Sequence, residues 1–589
     1  MRVEANGSGF QQMPEVGGTS ELLGIAVAAV ALLVTFGSLV AAGLPIINAL
    51  VGVGLGMLGI RLATVFTDIG TTTPVLATMI GLAVGIDYTL FILSRYRTEL
   101  RHTDDRAEAV GRAVGTAGSA VVFAGLTVLI ALSMLFVVNI PFLTTMGLAA
   151  GATVLTAVLV ALTLLPAVLG MLKRFAFGGQ IRKRTQAHDA QGRIANNGVR
   201  WAQLIRGRPA LVVLLVVLVL GTLALPARNL QLALPSDATA PTSTTQRKAA
   251  DLIAQGFGAG RQAPLMLVVD GRQLTAEDPR LAGQQRMEAF GKVVQWAAEQ
   301  DNVANAQIVG VNEEGVGASV LVTPKTGQGD PATTDLLDAL RAGTGDIEEQ
   351  TGATVGITGL TAIEVDVSER LSDALPTYLA VVVGLAFLLL MVVFRSLLVP
   401  LTATLGFLLS VLATFGTTVA VFQEGTFGLV DGQPLVSFMP MILIGIVFGL
   451  AMDYQVFLVS RMHEMYAHGD TAHEAILDGF RHGARVVTAA AIIMIAVFGA
   501  FILQDDQLIQ SMGFALAIAI LFDAFIVRMT LIPAAMYLLG DRAWWLPRWM
   551  DRIMPKIDIE GVGLRPEEDW AEEVSHRGDE APEDAPSLR

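Results

Sequence analysis

The chain has 589 residues, of which 53% are hydrophobic and 16% are charged, and its mean hydropathy is +0.59. This composition excludes a soluble globular protein and places most of the chain in a lipid bilayer. The absence of cysteine excludes disulfides and thiolate metal sites. The net charge of −14 arises mainly from residues 231–372 and from the segment after Met554, so we interpret it as solubilising charge and predict no nucleic-acid partner.

Eleven windows are apolar and long enough to cross a hydrocarbon core of about 30 Å. Residues 1–20 precede them and lack the pattern of a signal peptide, so we interpret this stretch as the remnant of an extracytoplasmic segment. The predicted spans lie near residues 21–42, 44–61, 73–94, 116–138, 142–172, 209–226, 374–394, 397–422, 437–460, 486–503 and 510–539.

Basic residues predict the orientation of these spans. Arginine and lysine are concentrated in cytoplasmic loops of membrane proteins, and here they crowd residues 95–112 and 173–208. The alternation places residues 231–372 outside the plasma membrane and the C-terminus inside. The predicted organisation is a first transmembrane bundle at 21–172, a cytoplasmic linker at 173–208, a transmembrane helix at 209–230 and a second bundle at 373–540.

Residues 231–372 change to alternating strands and amphipathic helices in the order β-α-β-β-α-β. This order is typical of the ferredoxin-like split βαβ module, and it predicts a compact α+β domain on the outer membrane face. The chain contains no G-x-x-x-x-G-K-[ST] phosphate loop, so ATP is not expected as the direct energy source, and no cofactor is predicted. No nucleophile and base pair is visible, which argues against an enzyme.

An internal repeat relates the two bundles. Residues 73–126 match residues 439–492 at a constant offset of 366, so that GIDYTLF in the first copy falls on AMDYQVF in the second. By the distribution of basic residues both copies run from outside to inside, which predicts a parallel repeat whose axis lies along the membrane normal. The fold predicted is therefore an α-helical polytopic membrane protein made of two parallel-repeat bundles.

The repeated Asp-Tyr pairs are the residues that we expect to carry function. A carboxylate near the centre of a membrane helix costs about 2.5–3.5 kcal/mol on insertion scales, so it is rarely kept for packing. Loss of hydration favours the neutral form of a carboxylic acid, and a second carboxylate nearby adds to this effect. A neighbouring tyrosine hydroxyl can donate a hydrogen bond and pass on a proton. We predict a proton relay formed by Asp87, Tyr88, Asp453 and Tyr454.

Small residues and two further charges accompany the motif. Glycines in G-x-x-x-G spacing let helices approach closely. We expect them to help the two helices that carry the Asp-Tyr pairs, here called the relay helices, to meet. These glycines are Gly81, Gly85, Gly445 and Gly449. In the last span, Asp523 and Arg528 would each be costly alone. A role in orienting or neutralising the two aspartates and a purely structural ion pair are both compatible with the sequence.

The remaining polar clusters favour structural interpretations. The histidine-rich loop has no carboxylate-supported metal spacing, so no metal site is predicted there. In residues 541–589, tryptophans and arginines predict an interfacial helix that anchors the last span, and the acidic tail 556–589 is predicted to be disordered. The anchoring residues are Trp544, Trp545, Trp549, Arg542, Arg548 and Arg552.

Doubled Asp-Tyr motifs together with an outer α+β module make the chain resemble the MMPL transporters of the resistance-nodulation-division superfamily. The resemblance covers nearly the whole chain and implies proton-driven export of lipids or other hydrophobic molecules. It assigns the proton relay to Asp87, Tyr88, Asp453 and Tyr454, and it makes Asp523 and Arg528 a family feature. It also implies twelve spans and one porter domain after the first span of each half.

The chain differs from that pattern in one respect. The first span and first porter domain are missing, and Met1 falls where that domain should end. A misplaced start, a clipped chain or a decayed gene would each explain this difference. Two alternatives to transport stay open: a truncated, non-transporting lipid-binding sensor or accessory membrane protein, and a protein-translocation motor of the same superfamily. Family analogy allows a monomer or a homo-oligomer.

Overall fold

A computed structural model describes residues 3–7, 18–100, 103, 105–178, 197–274, 279–426, 428, 432–467, 469–504 and 506–554. Within these ranges, eleven helical segments are long and apolar enough to cross a membrane, as predicted. The fold class is confirmed: a helical polytopic membrane protein with two parallel-repeat bundles and a small α+β domain. The predicted disorder of the tail 556–589 concerns residues outside the described ranges.

The first bundle is followed by two connecting helices and by the helices of the α+β domain. The first bundle consists of α1 (Thr19–Phe36), α2 (Leu39–Ala63), α3 (Thr73–Glu99), α4 (Arg106–Ala113), α5 (Ser119–Ser133) and α6 (Pro141–Leu172). A π-helical turn, Val114–Gly118, joins α4 to α5. The next helices are α7 (Asn197–Gly207), α8 (Pro209–Ala224), α9 (Thr245–Phe257), α10 (Pro279–Ala298), α11 (Pro331–Ala342) and α12 (Thr344–Thr351).

The second bundle repeats the plan of the first. Its helices are α13 (Leu360–Phe394), α14 (Leu398–Thr418), α15 (Met439–Ala467), α16 (Ala472–Ala500), α17 (Gln507–Ile520), α18 (Ile532–Leu539) and the short α19 (Arg548–Ile553). The last span consists of α17, then an eleven-residue π-helical segment, Leu521–Leu531, and then α18.

The α+β domain has the predicted ferredoxin-like topology. The strands are β1 (Leu232–Ala233), β2 (Leu265–Asp270), β3 (Val303–Val311), β4 (Gly317–Pro324), β5 (Thr354–Thr358) and β6 (Leu435–Val436). The main sheet has the order β3-β4-β2-β5 with all neighbours antiparallel, which is the split βαβ arrangement. A second, two-stranded sheet pairs β1 with β6 in parallel and so connects the start of the domain to the segment directly before α15.

The boundary between the first two spans differs from the prediction. The predicted span 21–42 ends early, because Gly37 adopts a left-handed conformation with φ 70° and its N–H bonds to the carbonyl of Leu33. Ser38 then caps α2 by accepting from the N–H of Ala41 at 3.3 Å. Glycine after a helix and serine before one are the usual end and start signals, and here they stand side by side within the apolar run.

In both bundles, at the end opposite the α+β domain, a serine hydroxyl forms a hydrogen bond with the segment that follows the last span. In the first, the Ser38 hydroxyl donates to the carbonyl of Gly178, which follows the last span, over 2.6 Å. In the second, the Ser396 hydroxyl donates to the carbonyl of Ala543 over 2.6 Å. There Trp544, predicted as a membrane anchor, instead packs on the rings of His463 and Tyr466 of α15, whereas Trp545 and Trp549 are exposed as an anchor requires.

The glycines of the relay helices pack closely, but not against each other. A Cβ on Gly85 would lie 2.9 Å from the Cα of Ala49 on α2, and one on Gly449 would lie 2.8 Å from the Cα of Val128 on α5. Gly81 likewise faces α2 and α6, and Gly445 faces the Tyr378 hydroxyl of α13. The expectation that these glycines bring the two relay helices into direct contact is therefore wrong. They seat each relay helix against its other neighbours.

Replacing Gly85 by alanine should destabilise the bundle, because the added methyl group meets backbone atoms of Ala49. Overpacking of this kind costs about 1–3 kcal/mol. The matched control is Gly54→Ala, since a Cβ on Gly54 meets nothing within 4 Å. We expect a lower apparent melting temperature in detergent for Gly85→Ala and an unchanged or higher one for Gly54→Ala. Equal melting temperatures would contradict the close approach of α2 and α3.

Candidate functional site

The helices α3 and α15 form the centre of the bundle. Every residue of the most apolar 18-residue window of α3 is buried, and 94% of the corresponding window of α15 is buried, whereas the share for the span that begins with α8 is 11%. Helix α15 packs on α5 of the first bundle, and by the same plan α3 packs on α16 of the second. Charged side chains on these two helices are thus shielded from lipid by protein, which is where such residues are tolerated.

The carboxylate of Asp87 lies on α3 and faces the other bundle. The residue is 2% exposed, and the Tyr454 hydroxyl of α15 lies near enough to the carboxylate to interact with it. Within the described ranges, no hydrogen bond of standard geometry reaches either carboxylate oxygen. Asp87 is therefore a buried acidic group at the junction between the two repeats, and a tyrosine of the opposite repeat is its polar neighbour.

Aromatic rings continue this junction one turn further along α3. The ring centroids of Phe91 and Phe457 are 4.9 Å apart, and those of Phe91 and Tyr454 are 6.1 Å apart. Phe91 and Phe457 are equivalent in the internal repeat, so their contact lies where the two copies meet. Phe91 follows Asp87 by four residues, so the ring cluster lies about one helical turn from the carboxylate, toward the end of the bundle away from the α+β domain.

The two other predicted relay positions lie on the same helices. Tyr88 is completely buried on α3, next to Asp87. Position 453 lies inside α15, directly before Tyr454, but its side chain is not among those that the structure describes. The structure thus brings Asp87 and Tyr454 together across the repeat. The relay role of the four residues stays a prediction.

The second buried polar group lies in the last span, where a π-helical segment sets its geometry. Asp523 and Arg528 are five residues apart, and π-helical winding, whose hydrogen bonds run between residues five apart, places them on one face. Arg528 donates through Nε and Nη2 to the two carboxylate oxygens of Asp523, and both residues are 3% exposed. Its Nη1 donates to Oε1 of Gln455 on α15 over 3.1 Å.

This pair reaches the relay helix α15 through Gln455. Among the described residues, no contact between the pair and Asp87 is observed. Their predicted role in orienting or neutralising the aspartates is unproven, and what the structure contains is an ion pair that anchors α15.

Gln455 is a site residue that the sequence interpretation missed. The signal was present, since it is a polar residue in an apolar helix directly after the Asp-Tyr pair. By contrast, Arg95 and Arg461 form ion pairs within their own helices, with Glu99 at 2.8 Å and Glu464 at 2.6 Å.

Fold and site together define a membrane protein of two parallel repeats with a buried acidic residue, Asp87, at their junction. The MMPL family matches residues 12–212 and 237–566, and the chain belongs to this family. It is 44% identical over 94% of its length to the membrane protein YdfJ of Bacillus subtilis, and it covers 74% of that protein. Its likeness to the hedgehog release protein Disp of the water bear Hypsibius dujardini has a TM-score of 0.61 over 88% of this chain and 70% of that one, and at 15% identity it shows the fold alone.

Named exporters are also among the relatives. The chain is 32% identical over 90% of its length to the mycolic acid-containing lipids exporter MmpL11 of Mycolicibacterium smegmatis. It is 30% identical over 92% of its length to the trehalose monomycolate exporter MmpL3 of Mycobacterium tuberculosis. The chain spans only 55% and 60% of the lengths of these two proteins. Membership of the family makes this chain a membrane transporter. Its substrate and its energy source are proposed below.

Removing Arg528 should be more damaging than removing the whole ion pair. Arg528→Met leaves the Asp523 carboxylate buried without its cation, which costs about 3–5 kcal/mol, whereas replacing a buried pair by apolar residues is often neutral. We expect a clearly lower apparent melting temperature for Arg528→Met and recovery of most of the loss in Asp523→Leu/Arg528→Met. A double variant as unstable as the single one would contradict the view that pairing is what holds these charges in the last span.

Proposed function

We propose that this chain forms the core of a proton-driven exporter of lipids or other hydrophobic molecules in the plasma membrane, with residues 231–372 on the extracytoplasmic side and the C-terminus in the cytoplasm. The observation that carries the proposal is the buried carboxylate of Asp87 at the junction of the two repeats, next to Tyr454. A group at this place can change charge without exposing that charge to lipid.

Protonation of Asp87 would change how the two repeats attract each other. When it is ionised, the Asp87 carboxylate can accept a hydrogen bond from the nearby Tyr454 hydroxyl, and hydrogen bonds to charged groups contribute about 1.5–3 kcal/mol. A proton on the carboxylate removes the charge and weakens this bond between α3 and α15. Because each bundle is a packed unit, a change at their contact is suited to rocking one bundle against the other, as alternating access requires.

The available driving energy is of the right size for such a step. One elementary charge that crosses a membrane potential of 100 mV supplies about 2.3 kcal/mol. This energy exceeds the roughly 1.4 kcal/mol that changes the ratio of two populations tenfold. A proton that enters from outside, binds at Asp87 and leaves to the cytoplasm can therefore bias the equilibrium between two arrangements of the bundles.

The substrate class is supported by the relatives and by the architecture. Two relatives carry names that assign them the export of mycolic acid-containing lipids and of trehalose monomycolate. In this chain the parallel strands β1 and β6, together with a 2.7 Å contact between the Ser368 and Ser437 hydroxyls, connect the α+β domain to the start of α15. Movement of the relay helix would thus reach the domain through which an exported lipid leaves.

Asp87→Asn should abolish lipid export while the protein still inserts and folds. The measurement uses cells that lack the gene and produce full-length variants, with lipids pulse-labelled from acetate and the labelled fraction recovered at the cell surface. Asparagine keeps the size of the side chain and removes its ability to bind and release a proton. The control is Asp68→Asn, an exposed aspartate in the loop between α2 and α3, which should export like the wild type.

Export at the wild-type level by Asp87→Asn would refute the proposal, provided that both variants are present in the membrane in equal amounts. If even the wild type left the surface lipids unchanged, the non-transporting sensor or accessory protein would be favoured instead.

A further inference from the structure

Asn48 is a buried amide in the middle of a largely apolar helix, α2. It is 4% exposed, and its Nδ2 donates to Oγ1 of Thr89 on α3 over 2.7 Å. The Thr89 hydroxyl donates in turn to the carbonyl of Gly85 over 2.8 Å. Because its hydrogen is already used, this hydroxyl can only accept from Asn48, which fixes the end of the amide that faces Thr89.

The bond leaves the other end of the amide unsatisfied. Oδ1 of Asn48 is buried, and no hydrogen bond reaches it within the described ranges. A buried acceptor without a partner costs about 1–3 kcal/mol. Leucine, which is of similar size, would fill the same space without that cost, so packing alone does not explain an amide here. The feature that distinguishes asparagine from leucine is the bond to Thr89.

The internal repeat gives this bond an equivalent in the second bundle. At the offset of 366 that aligns the Asp-Tyr motifs, Thr89 corresponds to Gln455. Each of these residues follows its aspartate by two positions, and each accepts a hydrogen bond through a side-chain oxygen. The donor is Asn48 in the first bundle and Arg528 in the second.

The two donors occupy positions that are not equivalent in the repeat: Asn48 lies on the second span of the chain, and Arg528 lies on the last. At the offset of 358 that aligns α2 with α14, the place of Asn48 is taken by Gly406, where a Cβ would lie 2.6 Å from Cγ1 of Val527, the neighbour of Arg528. At the offset of 367 that aligns the last spans, the place of Arg528 is taken by Ala161. The site behind the relay helix is thus served by a neutral amide in one bundle and by a guanidinium in the other.

We propose that Asn48 is a positioning residue that anchors α3 to α2 through Thr89 and thereby sets the direction in which Asp87 faces α15. The inference rests on the proposed function of Asp87. Residues two positions apart on an α-helix lie about 200° apart, so Thr89 lies on the side of α3 away from the carboxylate. Asn48 therefore acts from behind the relay helix and does not touch Asp87.

The test measures lipid export and apparent melting temperature on full-length variants in the cell assay described above. Asn48→Leu and Thr89→Val each remove the bond and should lower export roughly three- to tenfold, the size of one hydrogen bond. The melting temperature of Asn48→Leu should be unchanged or higher, because the unpaired acceptor is gone. Thr89→Ser keeps the hydroxyl and should export like the wild type. The double variant Asn48→Leu/Thr89→Val should export no less than either single variant, because both changes remove the same interaction.

The matched control is Thr78→Val on the same pair of helices. The Thr78 hydroxyl also donates to the carbonyl four residues earlier, that of Pro74, and contacts Sδ of Met57 on α2 at 3.6 Å. Thr78→Val therefore makes the same substitution between the same two helices, but at a position that does not contact Asn48 or Thr89. Its export should match the wild type.

Three outcomes would overturn the inference: wild-type export by Asn48→Leu, an equal loss in Thr78→Val, or a loss of export in Asn48→Leu that matches its loss of folded protein. The first would leave the proposed function intact as long as Asp87→Asn stays inactive. Normal export by Asp87→Asn would instead refute the proposed function itself, whatever Asn48→Leu does.

Discussion

The contact between Asp87 and Tyr454 across the two repeats is the constraint on which the arrangement of the bundle depends. A carboxylate at this depth is tolerated only where protein replaces lipid around it. The helix that carries it, α3, is accordingly enclosed by α2 and α6 of its own bundle and by α16 of the other. The helices that surround this centre contribute most of the surface that faces lipid, and the long apolar side chains exposed on α1, α2 and α8 fit that role.

The two bundles share a plan but differ behind their relay helices. The first holds α3 with a neutral amide, and the second holds α15 with a charged pair whose geometry requires a π-helical segment. Winding of this kind is rare and is often found at functional sites. The second anchor contains a carboxylate and a guanidinium, whereas the first contains only an amide and a hydroxyl. The two copies of the repeat thus support equivalent positions with different chemistry.

Much of this fold could be predicted from the sequence because membrane spans have a strong and simple signal. Eleven apolar windows, the order of the strands and helices in the α+β domain and the offset of 366 between the Asp-Tyr motifs all rest on local composition or on direct comparison of residues. The end of the first span was misplaced, because Gly37 and Ser38 break the helix within an unbroken apolar run, and hydropathy does not register a change of backbone conformation.

The site was harder to predict, since its geometry depends on which face of each helix meets which neighbour. The Asp-Tyr pairs stand out by their cost, but Gln455 and Asn48 are uncharged and do not. The spacing of Gly85 and Gly449 correctly predicted close packing, but the expected partner was the other relay helix, whereas the partners in the structure are α2 and α5. Asp523 and Arg528 are five residues apart, a spacing that regular α-helical geometry would place on different faces. Only the π-helical segment brings them together.

The most direct test of the account is proton uptake into proteoliposomes that contain the full-length protein in a total lipid extract, with a membrane potential imposed by valinomycin and a potassium gradient. If protons pass through the junction of the two repeats, the wild type should take up protons faster than protein-free liposomes, and Asp87→Asn should be no faster than those liposomes. Uptake by Asp87→Asn at the wild-type rate would contradict the central role of the buried carboxylate and would place the proton path elsewhere in the bundle.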